Sequence, residues 1–264
     1  MSTTFSKFYD TSFLNEPQIT EGVLIFDAEF SGPNLVKNGM VQLGASFWDV
    51  TRILKVDDFV VNINLGKGRT WDSFTIKNFW LAKSNLYETY QTILHNKGEN
   101  EDVAMRNFIQ FLQKCNKKCG GNLIMGSNRL DIDASWINLY LCNNGYMPLH
   151  LMFGKVTRLI DTSSYHQGCT HTCHEEVRTF EKSERKNYSA NEAAFRHFGL
   201  LERPTVAYTH NAREDAEFVA HCHLIILAHL KIIKDPVMKP TGHPPRNTVF
   251  HSSKKKFAYY NSKE

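Results

Sequence analysis

The feature that most constrains this chain is a short apolar run that ends in two acids. Gly22-Val23-Leu24-Ile25-Phe26 has the aliphatic, β-branched character of a buried strand, and it leads directly into Asp27-Ala28-Glu29-Phe30. If the strand continues, Asp27 and Glu29 stand two residues apart and share one face. Two carboxylates side by side on a buried strand are unfavourable unless a cation offsets their charge. Oxygen donors of this kind suit a hard divalent ion, Mg²⁺ or Mn²⁺. The alternative is a strand end open to solvent, where both acids are hydrated.

The rest of the chain places this pair in an α/β domain. Gly32-Pro33-Asn34 reads as a turn. Met40 to Val50 and Ile53 to Leu65 are further apolar runs, so three strands in an antiparallel meander are expected. Residues 72–95 change period and suit one or two helices. Asp102 to Lys114 is an amphipathic helix with Val103, Phe108, Ile109, Phe111 and Leu112 inward. A strand at Leu123-Ile124-Met125, a helix over 133–143, a strand over 156–160, a capped helix from Ser189 to near Gly199 and a long helix over 211–230 complete the series. The order βββ–α–β–α–β–α–α predicts a mixed sheet flanked by helices. Residues 1–20 read as a leader, 21–230 as one domain with a polar insertion at 163–188, and 231–264 as a proline-containing basic tail.

Composition narrows the class. With 264 residues, 42% apolar and 22% charged, the chain is not disordered, collagen-like or a coiled coil. No stretch of about 18 apolar residues exists, so no membrane span is expected. Met1 to Asn15 has neither the positive nor the apolar region of a secretory signal. Six cysteines in such a chain read as reduced thiols or metal ligands, which points to a cytoplasmic or nuclear setting. The net charge is +4, but residues 231–264 carry eight Lys and Arg against two acids, which leaves the body mildly acidic.

Two further segments carry candidate chemistry. Gly126-Ser127-Asn128-Arg129-Leu130-Asp131-Ile132-Asp133 lies where a strand hands over to a helix, a usual place for sites in α/β folds. Asp133 is a ligand candidate or a helix cap, and Asp131 competes with it. His210-Asn211-Ala212-Arg213-Glu214-Asp215 precedes and enters the last long helix. His210 also reads as a loop histidine, and Asp215 as an acid favoured by a helix N-terminus.

Together these segments resemble the DEDDh 3′–5′ exonucleases, an RNase H-like (DnaQ-like) family, over roughly 22–230. Asp27-x-Glu29, Asn128 with Asp133 five residues on, and His210-x4-Asp215-Ala216 are the motifs that carry the resemblance. The Asn128 spacing favours Asp133 over Asp131. His210-Asn211-Ala212, Gly68-Arg69-Thr70 and Thr75…Phe79-Trp80 are similar to phage and bacterial exonuclease VIII-type enzymes. Asp27-Ala28-Glu29-Phe30-Ser31-Gly32 and Val41-Gln42-Leu43-Gly44 are closer to poly(A)-trimming deadenylases. Ser127 departs from the usual His or Gly, and the insertion after Ser163 departs further.

The resemblance implies two Mg²⁺ or Mn²⁺ ions held by Asp27, Glu29, Asp133 and Asp215, with His210 as general base. Single-stranded DNA or RNA would be shortened from a free 3′ end to nucleoside 5′-monophosphates. Asn128 and Phe30 would contact the terminal nucleotide, although Phe30 reads equally as core. Two alternatives stay open: an RNA-specific 3′ trimming enzyme, and a catalytically inactive nucleic-acid-binding scaffold. Within the insertion, Cys169, His171, Cys173 and His174 form a candidate structural Zn²⁺ site, with Cys115 and Cys119, or His166, to contribute a second pair. A solvated loop is the competing reading. The tail sequence Lys254-Lys255-Lys256-Phe257-Ala258-Tyr259-Tyr260 suits a single strand, a nuclear-import signal or a solubilising end.

Overall fold

The computed structural model describes residues 19–82, 84–154, 156–165 and 209–229. Strands β1 (Gly22–Phe30), β2 (Met40–Asp49), β3 (Leu54–Asn62), β4 (Leu123–Ser127) and β5 (Leu159–Asp161) form one sheet in the order β3-β2-β1-β4-β5. The first three strands are the expected antiparallel meander, and β4 and β5 add in parallel. The helices are α1 (Ser73–Thr75), α2 (Ser84–Leu94), α3 (Glu101–Lys118), α4 (Leu130–Asn143) and α5 (Ala212–His229), with a π-helical turn at Ile76–Trp80. Residues 72–95 thus hold three helical pieces rather than one or two. Among the described residues no helix is long and apolar enough to cross a membrane.

Period-two alternation splits β1 between two cores. Leu24, Phe26 and Ala28 pack with Phe108, Leu112, Trp136 and Ile137 of α3 and α4. Val23 and Ile25 face the other way and pack with Phe218, Val219 and Cys222 of α5. Burying each such large side chain stabilises by about 1.5–3 kcal/mol. Asp27 and Glu29 continue the second series, so both acids lie on the α5 face of the sheet. Strand β1 reaches Phe30, and this length carries the two acids on regular strand.

Two close approaches fix the layers. Tyr140 Oη accepts from the Met40 amide at 2.8 Å and donates to the Met40 carbonyl at 3.2 Å, pinning α4 to the start of β2. On the opposite face, Gly44 pairs with Asp27, and a Cβ there would lie 2.2 Å from backbone atoms of Ala212 and Arg213. Glycine is required because the first turn of α5 rests directly on β2.

Several expectations shift. The fifth strand is Leu159–Asp161 rather than 156–160, and α4 begins at Leu130 rather than at 133. Arg129 is therefore the N-cap residue, without a side-chain cap bond, and Asp133 lies inside the first turns instead of capping them. Cys115 and Cys119 are buried in the α3 core, 0% and 1% exposed, and Cys119 Sγ donates to the Cys115 carbonyl at 3.1 Å. Burial pushes the Cys115 thiol upward, which disfavours the thiolate that zinc requires. The four cysteines among the described residues are unbridged. Cys169, His171, Cys173 and His174, the helix from Ser189 and the basic tail lie outside the described residues.

Gly44→Ala should lower stability by about 1–3 kcal/mol, because backbone rather than a flexible side chain must give way. Urea unfolding measures this, and unchanged stability would show that α5 does not rest on β2.

Candidate active site

The site forms where the ends of β1 and β4 meet the N-terminal turns of α4 and α5. Parallel pairing of β1 with β4 runs to Ile25–Gly126, so the chain opens into the β4–α4 loop just beside Asp27. Asp27 keeps partial solvent access. Glu29 is 8% exposed, Asp133 4% and Asp215 3%.

The α5 side is built around Asp215. Its Oδ1 accepts from the Thr209 amide at 2.9 Å and its Oδ2 from the His210 amide at 3.0 Å. His210 has φ of 57°, in the left-handed region that non-glycine residues seldom occupy. Asp215 therefore fixes the backbone of the histidine in a strained conformation, which is often found at functional sites. Asn211 Oδ1 accepts from the Arg213 and Glu214 amides, at 3.2 and 3.4 Å, and caps the helix. The His210 ring meets Phe79 edge-on, with centroids 4.8 Å apart. Donor atoms of Glu29, His210 and Asp215 all lie within 4.8 Å of one another.

The α4 side resolves the competition between Asp131 and Asp133. Asp131 is exposed and bound by Arg129, both of whose contacts are 3.2 Å, and this pairing holds its carboxyl below the usual range. Asp133 points inward. Asp161 supports the same loop: its Oδ2 accepts from the Leu130 amide at 3.2 Å and its Oδ1 from the Ser164 amide at 2.6 Å.

The acids perturb one another. Burial raises Asp27 well above the usual aspartate value, and the charges of Asp133, Glu29 and Asp215 raise it further. Asp133 is pushed up to about 7, chiefly by burial; Ser127 and the Arg129 backbone oppose this. Ser127 Oγ is buried beside Asp133 but makes no hydrogen bond of good geometry. Three carboxylates act on a fourth, a histidine nitrogen stands beside two of them, and a buried hydroxyl oxygen is left without a partner. That donor set fits a hard divalent cation.

Solved structures share this fold at low sequence identity. The product-bound structure of exonuclease I matches with a TM-score of 0.52 at 10% identity, over 81% of this chain and 44% of that one. The zinc-bound form of the E. coli exonuclease I complex with single-stranded DNA gives 0.53 at 15% identity, over 81% and 41%. E. coli exonuclease I with a dT13 oligonucleotide gives 0.51 at 13% identity, over 80% and 40%. The chain spans less than half the length of these structures. The mixed five-stranded sheet with flanking helices matches the fold of exonuclease I. No family model and no curated protein matches the chain.

The structure brings Glu29, His210 and Asp215 together, and Asp133, Glu29 and Asp215 act on Asp27. Phe30 is partly exposed and stacks on Trp136 at 4.9 Å, so at least one of its faces belongs to the core edge. Asn128 is half-buried in the β4–α4 loop. Sequence reasoning missed Asp161, Gln42 and the supporting part of Phe79. Gln42 had a visible signal, as a polar residue inside the wholly buried β2.

The raised carboxyls fix a pH dependence. An aspartate with a raised folded pKa holds its proton in the native state after the unfolded chain has lost it. Stability therefore falls as pH rises from about 4, the unfolded value, through about 7 for Asp133. Thermal unfolding of metal-free protein should show Tm declining between pH 5 and 8, less steeply in Asp133→Asn. Added Mn²⁺ should raise Tm more at pH 8 than at pH 5. An identical pH slope in the variant would contradict the burial of this carboxyl.

Proposed function

We propose that this chain is a metal-dependent 3′–5′ exonuclease that hydrolyses single-stranded nucleic acid, DNA or RNA, to nucleoside 5′-monophosphates. The observation that supports the reading is that Asp133, Glu29 and Asp215 all act electrostatically on Asp27, while donor atoms of His210, Glu29 and Asp215 lie within 4.8 Å of one another. The likeness to exonuclease I, a protein solved with single-stranded DNA, supports it at the level of fold.

Asp27, Glu29, Asp133 and Asp215 would hold two Mg²⁺ or Mn²⁺ ions, which would neutralise the scissile phosphate and favour a hydroxide nucleophile. His210 accepts the proton of the attacking water, a task suited to a side chain whose ordinary pKa lies near neutrality. Asp215 holds the His210 backbone in place, and Phe79 limits the rotation of its ring. Asn128 donates to the terminal nucleotide, while Phe30 supports its base from the edge of the core.

A binding scaffold gains nothing from burying mutually repelling acids, so the cluster favours catalysis over passive binding. Between DNA and RNA the decision lies in contacts near the sugar 2′ position.

Labelled DNA and RNA oligomers of matched sequence test the reading. Wild-type protein should shorten them from the 3′ end only when Mg²⁺ or Mn²⁺ is supplied. Asp27→Ala and Asp215→Asn should lower the rate by at least about a hundredfold, and His210→Ala should reduce turnover more than Mn²⁺ affinity. Full activity in either aspartate variant would refute the assignment. Binding without shortening in wild type would favour the scaffold.

A further inference from the structure

The buried amide of Gln42 has no part in the chemistry above, yet it reaches the element that carries His210 and Asp215. Gln42 is 2% exposed and pairs in register with Glu29 across β1 and β2. Paired residues of an antiparallel ladder project to the same face, so Gln42 points toward α5 beside the acids. Its Oε1 accepts from the Ala212 amide at 2.8 Å, at the first residue of the helix. Its Nε2 donates to Asn62 Oδ1 of β3, also at 2.8 Å. The two ends of the amide are thus told apart by their partners: the helix needs an acceptor, and Asn62 turns the donor end away from it.

We infer that Gln42 and Asn62 form a relay that sets where the α5 N-terminus sits against β1, and hence where His210 and Asp215 stand relative to Asp27 and Glu29. Gly44 sets the depth of that contact, and Gln42 sets its position along the strand. Helix N-termini leave several amides without intrahelical partners. Asn211 serves two of these in the helix itself, whereas Gln42 ties a third to the sheet. The bond spans 170 residues of sequence. Gln42 is a positioning residue: it touches neither substrate nor cation. The inference rests on the nuclease reading for its effect on turnover, but its effect on cation binding is independent of any reaction.

The test compares Gln42→Met, which keeps length and removes both hydrogen bonds, with Asn62→Ala and Asn62→Asp. Asn62→Asp keeps an acceptor for Gln42 Nε2 and serves as the conservative rescue. Calorimetric titration of each purified full chain with Mn²⁺ gives affinity, and oligonucleotide shortening gives kcat and KM. Gln42→Met should weaken Mn²⁺ binding about tenfold and lower kcat about ten- to a hundredfold, with KM changed less than threefold. Asn62→Ala should shift both in the same direction by less, and Asn62→Asp should stay within about threefold of wild type. If Gln42→Met does not fold, the contrast between the two Asn62 variants decides. Mn²⁺ affinity in Gln42→Met and Asn62→Ala within twofold of wild type would overturn the relay. Wild type that binds Mn²⁺ but cuts neither oligomer would refute the nuclease reading, while the affinity comparison would still judge the relay.

Discussion

Repulsion among buried carboxylates is the constraint around which this fold is arranged. Asp27 sits among Asp133, Glu29 and Asp215, and the charges of all three act on it. Left alone, such a cluster relaxes by taking up protons or by moving apart. Here the surrounding elements prevent separation. Tyr140 pins α4 to β2, Gly44 lets α5 lie on β2, and Asp161 holds the β4–α4 loop. The rigid frame keeps the acids close, and their proximity makes a divalent cation the natural occupant.

Much of this frame was legible in the chain. Alternation in β1 assigns Leu24, Phe26 and Ala28 to one face and Val23, Ile25, Asp27 and Glu29 to the other, because side-chain direction follows a period of two. Asp133 lies two residues beyond the exposed Asp131, about 200° around the helix, so the one turns inward while the other faces solvent. What the sequence could not supply was distance across the fold. Gln42 meets Ala212, and Phe79 meets His210, only after the sheet and helices have packed, and no local pattern encodes either contact. The span of the short β5 also differs from the expected 156–160, because its three residues carry little periodicity.

Asp215 joins two tasks that are usually described separately. Its oxygens accept from the backbone amides of Thr209 and His210, and its charge acts on Asp27. Any change in the charge carried by Asp215 therefore reaches the histidine through the main chain as well as through space. Two bonds from Asp215 hold the backbone on either side of His210 in its left-handed conformation, so the histidine and the acid cluster are mechanically linked.

The π-helical turn has a consequence for chain length. The Leu81 amide donates to the Ile76 carbonyl at 2.9 Å, five residues back, so this turn holds one residue more than an α-helical one. The turn carries two successive aromatic side chains with separate contacts: Phe79 against His210, and Trp80, whose Nε1 donates to the Phe30 carbonyl at 3.0 Å. In ordinary helical geometry neighbours diverge by about 100°. A single-residue deletion within Ile76–Trp80 would thus separate the first and third acidic segments from their common support without altering either one, and an insertion would rotate the pair out of reach just as surely.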